Sequence, residues 1–161
     1  MADTTALLGL VDAQFSTNKP SFYGYQNTVQ SIGNTSWTSI NIDVGVDDNY
    51  NGHSNSVNNS RYTAQVAGTY QVSGCYAVAS NNTGFRAVRI AKNGNTIVLG
   101  SATYSTSALI PEAGLPTPTV LVTMSVGDFV EVQGWQNSGG NLNTVLDVDL
   151  RCSLTVIFTH F

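Results

Sequence analysis

The sequence predicts an all-β domain built as two antiparallel sheets packed face to face. Three observations predict it. Short runs alternate apolar and polar residues with a period of two. Gly, Pro and Asn-Gly signals separate those runs at the close spacing of a sandwich or barrel. No helical periodicity appears from residue 20 to residue 161. With 161 residues and 42% hydrophobic side chains, the chain is long enough to bury one core without disulfide staples.

Residues 1–19 read as an N-terminal arm and residues 20–161 as the domain. In the arm, Leu7, Leu8, Leu10 and Val11 suit a single helical turn or packing on a neighbour. In residues 37–46, Ile40, Ile42, Val44 and Val46 alternate with Ser39, Asn41, Asp43 and Gly45, which predicts a strand. Residues 47–60 are almost wholly polar and predict a surface loop. Residues 69–79 form the strongest strand signal. Tyr70, Val72, Tyr76 and Val78 share one face; Gln71, Ser73, Cys75 and Ala77 share the other. A strand over residues 85–91 follows.

Asn93-Gly94 is the clearest turn, because both residues accept the positive φ that a tight hairpin needs. The hairpin continues through residues 96–104. Pro111, Pro116 and Pro118 cannot donate to a ladder, so residues 105–118 predict a loop. Strands over residues 119–124 and 129–135 flank the turn Val126-Gly127-Asp128. Last, residues 146–158 place Leu146, Val148, Leu150, Cys152, Leu154, Val156 and Phe158 on one face. That run predicts the longest strand, central in its sheet.

Composition narrows the function. Only 10% of residues are charged, against about 25% in an average globular protein. The six basic residues are scattered and the net charge is −4, which is not the clustered footprint of nucleic-acid binding. The N-terminus lacks a basic n-region, so no signal peptide is expected and synthesis is expected in a cytosol. No apolar run approaches the roughly 20 residues that span a bilayer. Sequons at Asn34, Asn58 and Asn81 are expected to stay unmodified without secretion.

No nucleophile elbow, zinc-protease helix or phosphate loop occurs, which predicts a non-enzymatic protein without a cofactor. His53 lies in a polar loop and reads as solvated. Cys75 and Cys152 are expected on opposite faces and unpaired. Asp43, Asp47 and Asp48 supply hard oxygens of the kind calcium accepts, though not at an EF-hand spacing; a solvated loop is the expectation there. Tyr23, Tyr25, Tyr50, Tyr104 and Trp135 are aromatic candidates for a sugar platform, with core packing or a subunit interface as the competing role.

One segment is recognisable. In residues 61–74, Tyr62, Gly68, Tyr70 and Val72 fill the pattern aromatic, five residues, Gly, any residue, Tyr, any residue, apolar. That pattern resembles the signature of the globular heads of the first complement component's q subunit, which share a jelly roll with the tumour necrosis factor superfamily. The turn at Gly127-Asp128, between a hydrophobic strand and its successor, is similar to the same family. The family's later aromatic positions are Val72 and Gly74 here, and no collagen-like segment precedes the domain.

The resemblance implies an antiparallel jelly-roll sandwich that assembles as a homotrimer. Ser73, Cys75 and Ala77 would face the three-fold axis, where small side chains allow close approach. An unsecreted domain behind a short arm resembles the versions in bacteriophage virion proteins. The expected role is therefore capsid decoration, with Leu7, Leu8, Leu10 and Val11 attaching it to a major capsid protein or another virion protein. The alternative is a trimeric receptor-binding or adhesin head that binds host glycan or protein through its loops.

Overall fold

A computed structural model of the chain describes residues 18–105 and 112–161. The expected attachment residues Leu7, Leu8, Leu10 and Val11 lie outside the described residues, and so does the arm itself up to residue 17. In chain order the first strands are β1 (Ser21–Tyr25), β2 (Ser31–Ile32), β3 (Thr38–Ser39), β4 (Val44–Asp48) and β5 (Arg61–Thr63). Next come β6 (Gly68–Ala79), β7 (Arg86–Lys92), β8 (Thr96–Ile97), β9 (Thr103–Ser105) and β10 (Glu112–Pro116). The last are β11 (Val120–Met124), β12 (Phe129–Gln136), β13 (Leu142–Asn143) and β14 (Ser153–His160). Among the described residues there is no helix.

The strands form two antiparallel sheets. In the first, β10, β6, β14, β1 and β4 lie side by side, and β11 continues the β10 edge along β6. The second holds β3, β12, β7 and β8, with β5 also on β12 and β9 also on β7. A small β13–β2 pair lies apart from both sheets. The fold is an all-β jelly-roll sandwich, as the sequence predicts.

The period-two pattern places the core. From the first sheet, Phe22, Tyr70, Val72, Tyr76, Leu154 and Val156 point inward; from the second come Val88, Ile90, Val130 and Val132. Each such side chain contributes roughly 1.5–3 kcal/mol when fully buried. Gly74 lies at a close approach of the two sheets. A Cβ there would stand 2.2 Å from Val132 Cγ2 and 2.7 Å from the Ser153 carbonyl oxygen. The position that is aromatic in the resembled family must therefore be glycine in this chain.

Three segments differ from the sequence expectation. Residues 37–46 are not one strand. Thr38–Ser39 belongs to the second sheet and Val44–Asp48 to the first, and residues 40–43 cross between them. Ile40 and Ile42 stay fully buried on the way, so the alternation survives a change of sheet. The Ile40 amide donates to Val132 O and the Ile42 amide to Asn59 O, which replaces the missing ladder.

The proline-rich stretch is not all loop. Glu112–Pro116 pairs with the upper half of β6. It is the outermost strand there, and an edge tolerates proline because its outward donors have no partner to lose. The final run is shorter than its pattern. Only Ser153–His160 is strand, while Leu146 and Arg151 form an isolated bridge around a tight turn. The Asp147 amide donates to Leu150 O, the Asp147 carboxylate accepts from the Val148 amide at 2.6 Å, and Val148 is left 88% exposed. The remaining strand is central, between β6 and β1.

Candidate functional site

The outward face of the first sheet is set by register. One row across it runs Leu121, Gln71, Ile157, Ser21. The next runs Ser73, Thr155, Tyr23, Asp47, and the third Cys75, Ser153, Tyr25, Val44. The middle of this face is small or hydroxylated, and larger apolar groups stand around it. Leu121 is 63% exposed, Ile157 44% and Tyr23 42%. A cavity of about 530 Å³ opens beside them, lined by Tyr23, Tyr25, Cys75 and Ser153. The turn after β13 walls it with Val148, Asp149 and Arg151. The Arg151 guanidinium lies 5.4 Å from the Tyr25 ring centroid and donates to Asn27 Oδ1 at 2.7 Å.

Of the three side chains expected at a three-fold axis, Ser73 and Cys75 are half-buried on this face. Ala77 is not available: it is fully buried in the core, and the Val145 amide donates to its carbonyl. Residues 144–146 fold back over the upper end of β6, so the contact face stops short of Ala77. The two cysteines are free, Cys75 half-buried and Cys152 buried. The Ala77 amide donates to Cys152 Sγ at 3.2 Å, and burial pushes that thiol up to about 12.

The acidic residues near the polar loop do not converge. Asp43 accepts from the Asn27 amide, and Asp47 from the Ser21 hydroxyl at 2.5 Å. Asp48 accepts from the amides of Gly52 and His53, both at 2.9 Å. Asp43 and Asp48 each tie down a backbone segment and Asp47 a side-chain hydroxyl, and among the described residues no cluster of three His, Cys, Asp or Glu side chains exists. Asp43, Asp47 and Asp48, the calcium candidates, thus each have a separate set of donors. His53 is not solvated. Its ring packs 4.6 Å from that of Phe22, with Nδ1 and Nε2 each 2.8 Å from a backbone carbonyl oxygen, those of Arg61 and Ile42.

The signature residues are structural. The Tyr62 ring stacks on Phe22 at 5.5 Å and meets Tyr70 at 6.2 Å. Val72 is fully buried. A Cβ on Gly68 would come within 2.4 Å of the Phe158 ring. Gly127 takes φ 89°, and Asp128 then turns back to knot two hairpins together. Its carboxylate meets Lys92 Nζ at 2.8 Å, Asn93 Nδ2 at 2.9 Å and the Ser125 amide at 2.8 Å. Those donors hold its carboxyl well below the usual carboxylate range, the Lys92 bond foremost.

The five aromatic candidates separate. Tyr23 and Tyr25 lie on the first sheet, and the Tyr50 hydroxyl donates to Asn18 O. Tyr104 and Trp135 meet on the outward face of the second sheet, joined by two residues not singled out for this role, Phe85 and Trp37. Ring centroids are 6.3 Å apart for Tyr104–Phe85, 4.8 Å for Phe85–Trp135 and 6.4 Å for Trp135–Trp37. Ala87 pairs with both Trp135 and Tyr104, and its single methyl leaves room for the rings above it. Only that cross-strand register would have revealed the group in the sequence.

Solved structures similar to this chain share its architecture. Eiger TNF from S. frugiperda has 9% sequence identity over 88% of this chain and 92% of its own, with a TM-score of 0.58. Murine APRIL, solved at pH 5.0 and at pH 8.0, has 10% identity over 88% of this chain and all of its own, with TM-scores of 0.62 and 0.63. No protein-family model and no curated protein sequence matches the chain. At such identities the likeness establishes the fold, a jelly-roll head of the kind found in tumour necrosis factor proteins.

Proposed function

From a jelly roll of that kind as premise, we propose that this chain is a non-enzymatic structural protein that assembles as a homotrimer and decorates the capsid of a virus particle. The observation that carries the trimer is the outward face of the first sheet. Small Ser73 and Cys75 lie on β6 beside the central β14, and Tyr23, Leu121 and Ile157 are exposed on the same face. Exposed apolar side chains gathered on one face mark interaction sites. The three-fold symmetry rests on the family resemblance of Tyr62, Gly68, Tyr70 and Val72. The virion role rests on the low charge, on the arm, and on likeness to phage domains that follow short arms.

Native mass spectrometry of the full chain tests the trimer. The expected mass is three times 17.1 kDa. Ser73→Arg places a long charged side chain on a half-buried position of that face. It is expected to yield a folded monomer, judged by an unchanged far-ultraviolet dichroism spectrum. A wild-type monomer at micromolar concentration would sink the trimer. For the virion role, residues 1–18 are deleted and binding to capsids is measured. The truncated chain is expected to stay trimeric and lose attachment, and unchanged attachment refutes the role of the arm.

A further inference from the structure

The aromatic row on the second sheet lies on the opposite side of the sandwich from the proposed contact face. We propose that it is a binding site for a carboxylate-bearing oligosaccharide.

The row crosses four strands. Trp37 adjoins β3, Trp135 lies on β12, Phe85 precedes β7 and Tyr104 lies on β9. Tyr104 is 64% exposed, Phe85 37%, and both tryptophans are half-buried. The rings are anchored at their bases and open above. A hydrogen-bonded strip runs beside them. Arg89 Nε donates to Gln133 Oε1 at 2.8 Å, Gln133 Nε2 to Glu131 Oε1 at 2.9 Å, and the Ser39 hydroxyl to Glu131 Oε1 at 2.6 Å. Gln133 and Glu131 are each only 5% exposed, so this strip is rigid.

Arg89 is the open end of the strip. Its guanidinium lies 4.0 Å above the Trp37 ring. Its Nε is committed to Gln133, and its two terminal nitrogens have no hydrogen-bond partner among the described residues. Glu131 forms no ion pair with them: its oxygens accept from the hydroxyls of Ser39 and Ser60, and its charge acts on Arg89 only from a distance. A cation held over an aromatic ring with its fork free is the complement of a carboxylate, which it grips with two parallel bonds. The rings beside it suit the C–H faces of pyranoses, because aromatic faces carry partial negative charge.

A chain of sugars fits better than a peptide. Extended peptides add to strand edges or sink side chains into pockets. These rings lie on a sheet face, apart from the cavities lined by Tyr23 and Tyr25, by Thr144 and Val145, and by His53 and Asn58. The ring-to-ring steps are comparable to the repeat of a pyranose chain.

The test is a tryptophan-fluorescence titration of the full chain with uronic-acid tetrasaccharides of several linkages and with their neutral counterparts. A saturable change is expected with at least one acidic tetrasaccharide and a weaker one with its neutral partner. Tyr104→Ala is expected to weaken binding about fivefold. Arg89→Gln is expected to remove the preference for the acidic sugar. Val46→Ala, on an exposed position of the other sheet, is expected to leave binding unchanged. No change with any acidic sugar up to about 10 mM, well beyond ordinary weak affinity, overturns the proposal. Binding that survives both Tyr104→Ala and Arg89→Gln overturns it too. So does a native mass altered by Tyr104→Ala, which would assign the rings to a contact between copies. An oligoglutamate peptide that binds where every sugar fails would reassign the face to a protein.

Discussion

Gly74 gives a quantitative test of how closely the sheets meet. Alanine there adds one methyl group 2.2 Å from Val132 Cγ2 and 2.7 Å from the Ser153 carbonyl. The valine can yield by shifting its side chain, but the carbonyl belongs to the β14 backbone and cannot. Overpacking of this kind costs about 1–3 kcal/mol. For a domain of this size, 2 kcal/mol lowers Tm by roughly 4–8 °C. Val132→Ala alone removes two buried methyl groups and leaves a void, at about 2 kcal/mol. The double variant clears the nearer clash and fills part of the void. It should be more stable than the sum of the single effects by about 1 kcal/mol. Urea unfolding of the four proteins closes the cycle, at one protomer concentration because assembly shifts the midpoint. Strict additivity would mean that Gly74 and Val132 do not touch, and the account of the sandwich core would fail there.

Two further outcomes follow from the titrating groups. Asp128 has its folded carboxyl lowered by the Lys92, Asn93 and Ser125 bonds, so its contribution is present above the unfolded value near 3.9 and is lost as pH falls below it. Asp128→Asn should therefore destabilise the protein at pH 6, and the gap should begin to narrow below pH 4 and keep narrowing as pH falls toward the depressed folded value; a gap equal at pH 6 and pH 2 refutes the assignment. Cys152 has its thiol raised to about 12 by burial, and Cys75 is raised by burial less completely. Thiol titration at pH 8 should label Cys75 slowly and Cys152 only after urea is added, and rapid labelling of both in the native protein contradicts the packing.

What the sequence revealed was local. The Asn93-Gly94 hairpin and the Gly127-Asp128 turn depend on neighbouring residues, and β6 announces itself by strict alternation. The Leu146–Arg151 turn was hidden because a tight hairpin can continue a period-two pattern. The β10 strand was hidden by prolines that only an edge position excuses. Cross-strand neighbours are invisible without register, and so the Trp37, Phe85 and Arg89 group escaped notice. The same blindness placed Ala77 on an open face, since alternation says which side a residue takes but not what folds over it. The candidate face with Ser73 and Cys75 needed only that alternation.

The position of β14 has a consequence for how the fold assembles. It lies between β6 and β1, two strands far apart in the chain. Until β14 is in place, β1 and β6 have no common neighbour, and each presents a bare row of amide and carbonyl groups. Such edges invite pairing with other chains. Deleting residues 153–160 should therefore leave two half-sheets that cannot join, a far greater loss than removal of the edge strand β4.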